Sequence, residues 1–233
     1  MKFLPYLLCL FTACSLYADD DQINPPPITQ SQQVTSVDPI QDLQKDHGLF
    51  RRLLLIYDEM TRIINSGQDF DTSQLQNAAN IVASYFENFH EMLEETYIFP
   101  VFIQNQQMVD LVNTLQQDHA TGRTITQSIL LQCQTGDLQS PQTLQTISNS
   151  LQQYVTILRP HLAKEESQLF PLFQNLTTQQ NYDVIGELFA GQEIDTFGQN
   201  GFTSISNQVS AIEQALNMTT LAQPTSLSKG ENR

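Results

Sequence analysis

Apolar positions three and four residues apart run through the chain from residue 40 onward. Phe50, Leu54, Tyr57 and Thr61 trace one such stripe, and Phe86, Phe89, Leu93 and Tyr97 another. Side chains at that spacing share a helix face, because an α-helix turns once in about 3.6 residues. The pattern predicts four long helices, over about 40–65, 72–103, 106–135 and 141–174. Breaks fall at Asn65-Ser66-Gly67, at Gln104-Asn105 with Pro100 nearby, and from Thr135-Gly136-Asp137 to Ser140-Pro141. Asp38-Pro39 is a helix start, an N-cap followed by proline at the first helical position. No segment alternates as a half-buried strand would. Long amphipathic helices joined by short loops pack as antiparallel neighbours, so the expected fold class is all-α, an up-down-up-down four-helix bundle. Two further amphipathic stretches, 177–190 with Tyr182, Val184, Ile185, Leu188 and Phe189, and 202–217 with Ile205, Val209, Ile212 and Leu216, add C-terminal helices that cap or flank it. The helical domain is expected over 40–217, with 218–233 a disordered polar tail.

Composition narrows the functions this bundle can serve. Of 233 residues, 10 are Lys or Arg and 25 are Asp or Glu, a formal charge of −15. A basic footprint for phosphates is missing, which argues against nucleic acid or an anionic membrane surface as partner. Residues 1–18 pair Lys2 with the apolar run from Phe3 to Ala13, the layout of a secretory signal peptide and too short for a spanning helix. Cleavage after Ala18 gives a soluble periplasmic or secreted protein; Phe11-Thr12-Ala13-Cys14 instead resembles a bacterial lipobox, and lipidation of Cys14 would bring the protein to a membrane. After cleavage at Ala18, Cys133 is the one remaining thiol, read as a half-buried packing residue. Residues 19–39, with Pro25-Pro26-Pro27 among Gln, Ser and Thr, read as a flexible or polyproline-like linker.

The chain has only four histidines, and each long helix carries one: His47, His90, His119 and His161. In an antiparallel hairpin, two residues equidistant from the turn lie at one level, because the rise of about 1.5 Å per residue is the same in both directions. The midpoints of successive histidines fall at about residues 68, 104 and 140, all inside expected loops. Four imidazoles thereby share one layer, and the neighbouring apolar positions point them inward. Glu94 follows His90 by four residues and Glu165 follows His161 by four, on the same faces. Inward Glu and His at this density suit a carboxylate-bridged metal pair, since an unpaired buried carboxylate is costly. Imidazole with carboxylate favours iron, with manganese or zinc as substitutes. Asp46 and Asp118 read either as partners for an imidazole N–H or as solvated groups. Tyr57, Tyr85, Tyr97 and Tyr154 read as pocket lining or plain core, and Glu95 and Glu166 as solvated helix faces.

The two halves repeat. Leu43-Gln44-Lys45-Asp46-His47 returns as Leu115-Gln116-Gln117-Asp118-His119, and the run from His90 through Glu94-Glu95 to Phe99-Pro100 returns from His161 through Glu165-Glu166 to Phe170-Pro171. The combined H, HxxxE, H, HxxxE pattern resembles the hemerythrin-like proteins of the HHE cation-binding family. The resemblance implies a di-iron centre with His terminal ligands and Glu bridging or terminal ligands, here His47, His90, Glu94, His119, His161 and Glu165, able to react with oxygen species. Glu91, beside His90, is similar to an HExxE variant of the family in which the extra Glu binds metal; a solvated or outer position fits it equally. The oxygen-carrying hemerythrins have two His four residues apart on the third helix, whereas this chain has Arg123 four after His119, which argues against reversible oxygen carriage. Together with the signal-type residues 1–18, the resemblance then implies an exported di-iron protein for iron handling, or for binding or sensing oxygen, peroxide or nitric oxide. The alternative is a di-iron oxidoreductase consuming peroxide or nitric oxide, and a scaffold without metal is the third reading.

Overall fold

A computed structural model describes residues 37–69 and 71–218. The expected signal peptide, nearly all of the linker, and the tail beyond Met218 lie outside the described residues. Those described form six helices and no strand: α1 (Pro39–Ser66), α2 (73–104), α3 (Val109–Thr135), α4 (141–176), α5 (Gln179–Phe197) and α6 (Gly201–Ala215). The first four are the bundle, each packed on its neighbours in the ring α1-α2-α3-α4. Ser148, near the start of α4, donates to Asn65 at the end of α1, while Glu166 near the end of α4 meets His47 near the start of α1. Those two contacts fix α1 and α4 as antiparallel.

Local chemistry explains the boundaries. Asp38 caps α1 by accepting from the N–H groups of Ile40 and Gln41 at 2.9 and 3.1 Å, with Pro39 at the position where a missing N–H costs nothing. Gly67 ends α1 in the left-handed region at φ 67°, which glycine adopts without strain. α3 begins at Val109 rather than near 106, because Gln106 and Met108 take positive φ of 55° and 49° and the helix cannot start before that turn. α5 runs to Phe197, past the expected end at 190: Gly191 is absorbed within the helix, and the stop is Gly198.

The helices α2 and α4 contain wide π-type turns over Val82–His90, Glu94–Ile98 and Glu165–Leu169. In the last two, the N–H of Phe99 reaches back to the Glu94 carbonyl and that of Phe170 to the Glu165 carbonyl. Each precedes a proline, Pro100 or Pro171, whose ring lacks an N–H and crowds the carbonyl four residues earlier; the wider turn relieves that crowding. Both turns begin on a glutamate of the HxxxE repeats.

Phe50 and Phe86 stack in the bundle core with rings 4.2 Å apart, and Tyr154 packs tilted against Phe50. α5 and α6 pack mainly on α1, α2 and each other. Arg52 of α1 fastens α6, donating to both Glu213 carboxylate oxygens at 2.8 and 2.7 Å and to Ser206 and Ser210. Because Glu213 is almost fully buried, Arg52→Met should leave its carboxylate without a partner and lower the unfolding free energy by about 3 kcal/mol. Urea titration measures this; a loss under about 0.5 kcal/mol would mean that α6 is held by apolar contacts alone.

Candidate metal centre

The helix register brings four imidazoles into one layer as two pairs. Nε2 of His47 on α1 lies 3.1 Å from Nε2 of His90 on α2, and Nε2 of His119 on α3 lies 3.0 Å from Nε2 of His161 on α4. Two carboxylates stand between the pairs. Glu94 places Oε1 3.8 Å from His47 Nε2 and 3.4 Å from His90 Nε2, and Oε2 3.6 Å from His119 Nε2. Glu165 places Oε2 3.5 Å from His47 Nε2 and Oε1 3.2 Å from His161 Nε2. Each carboxylate thus offers one oxygen to each histidine pair. All six residues are at most 1% exposed.

An outer ring of carboxylates fixes the imidazoles. Nδ1 of His47 donates to Glu166 at 3.1 Å, Nδ1 of His119 to Glu95 at 2.9 Å, Nδ1 of His90 to Asp46 at 3.2 Å, and Nδ1 of His161 to Asp118 at 3.4 Å. A carboxylate only accepts, so each Nδ1 carries a proton, and loss of any proton from Nε2 turns that atom's lone pair into the layer. Asp46 and Asp118 therefore orient not the histidine that follows them but one on the next helix. Glu95 and Glu166, expected on solvated faces, are corrected to this role. Arg51 holds Glu166 at 2.6 Å, and Arg123 holds Glu95 at 2.7 Å. The expectation failed because it counted only each glutamate's own helix, whereas its partner comes from the neighbour. A signal was present: the Glu-Glu doublet, and an Arg four residues after His47 and His119, recur in both halves.

Such a layer demands positive charge. All four oxygens of Glu94 and Glu165 are buried without a hydrogen-bond partner, and the paired Nε2 atoms stand 3.1 and 3.0 Å apart with no other partner for their inner face than the carboxylates. The residues fit a metal pair. Donor atoms of Glu94, His119, His161 and Glu165 lie within 4.8 Å of one another, as do those of His47, His90 and Glu94. The individual separations within these groups, from 3.0 Å between His119 and His161 to 3.8 Å between His47 and Glu94, suit neighbouring ligands on cations with bonds of about 2.1 Å. Phe170 stacks on His47 and Phe99 on His119, closing the layer to water.

Glu91 stands at the edge. Its Oε2 is 2.8 Å from Arg123 and 4.0 Å from His119 Nδ1, so it faces the outer side of that ring. Burial pushes its carboxyl up to about 7, against the opposing pull of His119 and Arg123. Arg123, where the oxygen carriers have a second histidine, ties Glu91 and Glu95 together. The tyrosines are core: Tyr57 and Tyr154 are buried against each other, Tyr97 accepts from Gln192, and Tyr85 reaches the layer only by donating to Asp46 at 2.8 Å. Glu87, buried and accepting from Thr126 at 2.6 Å, had no signal in the sequence pattern. Cys133 is half-buried.

Protonation obeys the same demand. Burial opposes charge on His90, but Glu94 and Asp46 outweigh it and hold the imidazole well above its usual value. His161 is pushed up to about 10, the Glu165 and Asp118 carboxylates again overcoming burial. A pKa raised on folding adds stability that is complete below the unfolded value near 6.5 and lost as pH climbs through the folded value. Chelator-stripped protein should therefore lose stability between pH 6.5 and about 10, while metal-loaded protein, with Nε2 committed to the ion, should not lose it over that interval. Denaturation midpoints of both forms across this range make the comparison, and parallel curves would contradict it.

Uncharacterized proteins of Mycobacterium bovis and of two strains of Mycobacterium tuberculosis are each 28% identical to this chain over 212 residues, covering 91% of it and 83% of each relative. No solved structure matches. The hemerythrin HHE cation binding domain matches residues 38–173, which include both histidine pairs, both glutamates between them and the whole outer ring. With more than half of its length matched, the chain belongs to the hemerythrin HHE cation-binding domain family.

Proposed function

We propose that the chain binds two iron ions between its histidine pairs and serves, outside the cytoplasm, in iron handling or in binding and sensing oxygen, peroxide or nitric oxide. The observation that carries this reading is the set of four buried carboxylate oxygens without donors, set among four Nε2 atoms. His119 and His161 with Glu94 and Glu165 would hold one ion, and His47 and His90 with Glu94 the other, where Glu165 also stands 3.5 Å from His47. Manganese or zinc suits the same donors. Iron bound there would supply electrons to small oxidants and open positions for small anions. The protein's own part is orientation and exclusion: the outer carboxylates hold the rings, and Phe99 and Phe170 keep water from their faces.

Turnover of peroxide or nitric oxide is the second reading. One feature favours it: Glu91 is a buried carboxylate beside the layer where the other repeat has Leu162. Export rests on the sequence of residues 1–18, and the mass of the native chain tests it, since an intact Met1 overturns export and acyl chains on Cys14 identify the lipoprotein form.

Protein produced with iron should carry about two atoms per chain, and His90→Ala or His161→Ala should lose at least one and melt earlier. Elemental analysis finding no iron in a folded chain would overturn the reading. Anaerobic reduced protein mixed with oxygen in a stopped-flow instrument should oxidise irreversibly, because a carboxylate-rich donor set favours the ferric state. Reversible cycling on deoxygenation would instead restore oxygen carriage, and continuing peroxide consumption would move the assignment to an enzyme.

A further inference from the structure

The internal repeat makes each half of the bundle a control for the other, and the outer supports of the two histidine pairs differ. The first imidazole of each pair is supported by the same two residue types, His47 by Glu166 and Arg51, His119 by Glu95 and Arg123, with Glu91 added beside Arg123 at 2.8 Å. The second is not. Asp46, which holds His90, is 3% exposed and accepts a further hydrogen bond from the fully buried Tyr85. Asp118, which holds His161, has no such donor: Thr156 takes the place of Tyr85 and turns its hydroxyl to the Gln152 carbonyl at 2.8 Å. Where the first half buries Leu93, the second has Lys164, whose ammonium is 3.9 Å from Asp118; the Lys164 and Asp118 side chains are 36% and 22% exposed.

The C-terminal helices widen this difference. Phe197 of α5 packs on Tyr85 and Phe89 at ring distances of 5.1 and 5.2 Å, and Lys45 sits 4.0 Å above the ring of Phe202 in α6. Together they cover the α1–α2 seam, over Asp46. Asp118 and Lys164, at the corresponding α3–α4 seam, remain in contact with solvent.

Resting on the two-ion reading, we propose that the two metal positions differ in lability: the ion at His119 and His161 exchanges first, through the Asp118–Lys164 seam, and the ion at His47 and His90 is retained by Tyr85 acting as a positioning residue through Asp46. An imidazole keeps its lone pair on an ion only while its outer nitrogen is held, and losing that outer partner typically weakens metal binding about 10–100-fold. Water and Lys164 compete for Asp118, so His161 is held less firmly. Asp46 is shielded from water and already fixed by Tyr85, so His90 is not free to turn.

The full chain loaded with zinc, which undergoes no redox chemistry, and challenged with a chromogenic chelator tests this directly. Two release phases of equal amplitude are expected, at least about tenfold apart in rate. Tyr85→Phe should speed the slow phase and leave the fast one, whereas Asp118→Asn should speed the fast phase and leave the slow one. Lys164→Leu should slow the fast phase. Melting of each variant without metal separates these effects from general loosening, since an altered fold would move both phases together. Loading with fewer than two ions would overturn the two-ion reading and this inference with it. Two ions leaving in a single phase, or a Tyr85→Phe effect on the fast phase, would overturn the inference alone.

Discussion

Two glutamates buried without donors set the terms for the rest of this structure. Glu94 and Glu165 lie at the centre of a four-helix bundle with all four carboxylate oxygens out of reach of any N–H or O–H. An uncompensated carboxylate in such surroundings costs several kcal/mol, so the layer can exist only if positive charge joins it. Four imidazoles supply the means. Each gives its outer N–H to a carboxylate and turns its inner nitrogen to the centre, which makes the histidine the wire connecting the buried layer to charges nearer the surface. Glu166 shows the outer end of that wire: the hydrogen bond from His47, helped by Arg51, holds its carboxyl down to about 2 despite partial burial.

The backbone serves the same layer. A regular helix places a histidine and a glutamate four apart on one face, but the next glutamate must turn away to meet a neighbouring helix. In both repeats the widened turn begins at the inner glutamate and ends before a proline, so Glu94 stays in the layer while Glu95 reaches His119, and Glu165 stays while Glu166 reaches His47. The Phe-Pro that follows each turn also sends a phenylalanine back over an imidazole. One short sequence, repeated, provides inner carboxylate, outer carboxylate and the phenylalanine over an imidazole.

Much of this was legible in the chain itself. Helical periodicity carried the bundle, and equidistance from the turns carried the single layer, because both depend only on the constant rise of a helix. The outer ring was not legible in the same way. Glu95 and Glu166 look solvated on a helical wheel, and only the neighbouring helix converts them into acceptors. For Asp46 and Asp118 the pattern left imidazole partner and solvated group both open; each is a partner, and of a histidine on the following helix, a distinction that register alone cannot make. Glu87 and the wide turns left no periodic trace at all. Local pattern reports which face a residue takes; what that face meets is a property of packing.

Arg123 ties these points to the chemistry. A histidine there would bring a third imidazole to one end of the layer and make the two ends unequal in their ligands. An arginine instead clamps Glu95 against His119, as Arg51 clamps Glu166 against His47, so the inner donors keep the two-fold symmetry of the repeat. With the inner residues of the same types at both ends, the clearest differences in residue type lie outside them: Glu91 opposite Leu162, Tyr85 opposite Thr156, and helices that cover Asp46 but leave Asp118 to solvent. The added C-terminal helices therefore act on the centre without touching it, by deciding which of two equivalent aspartates stays dry.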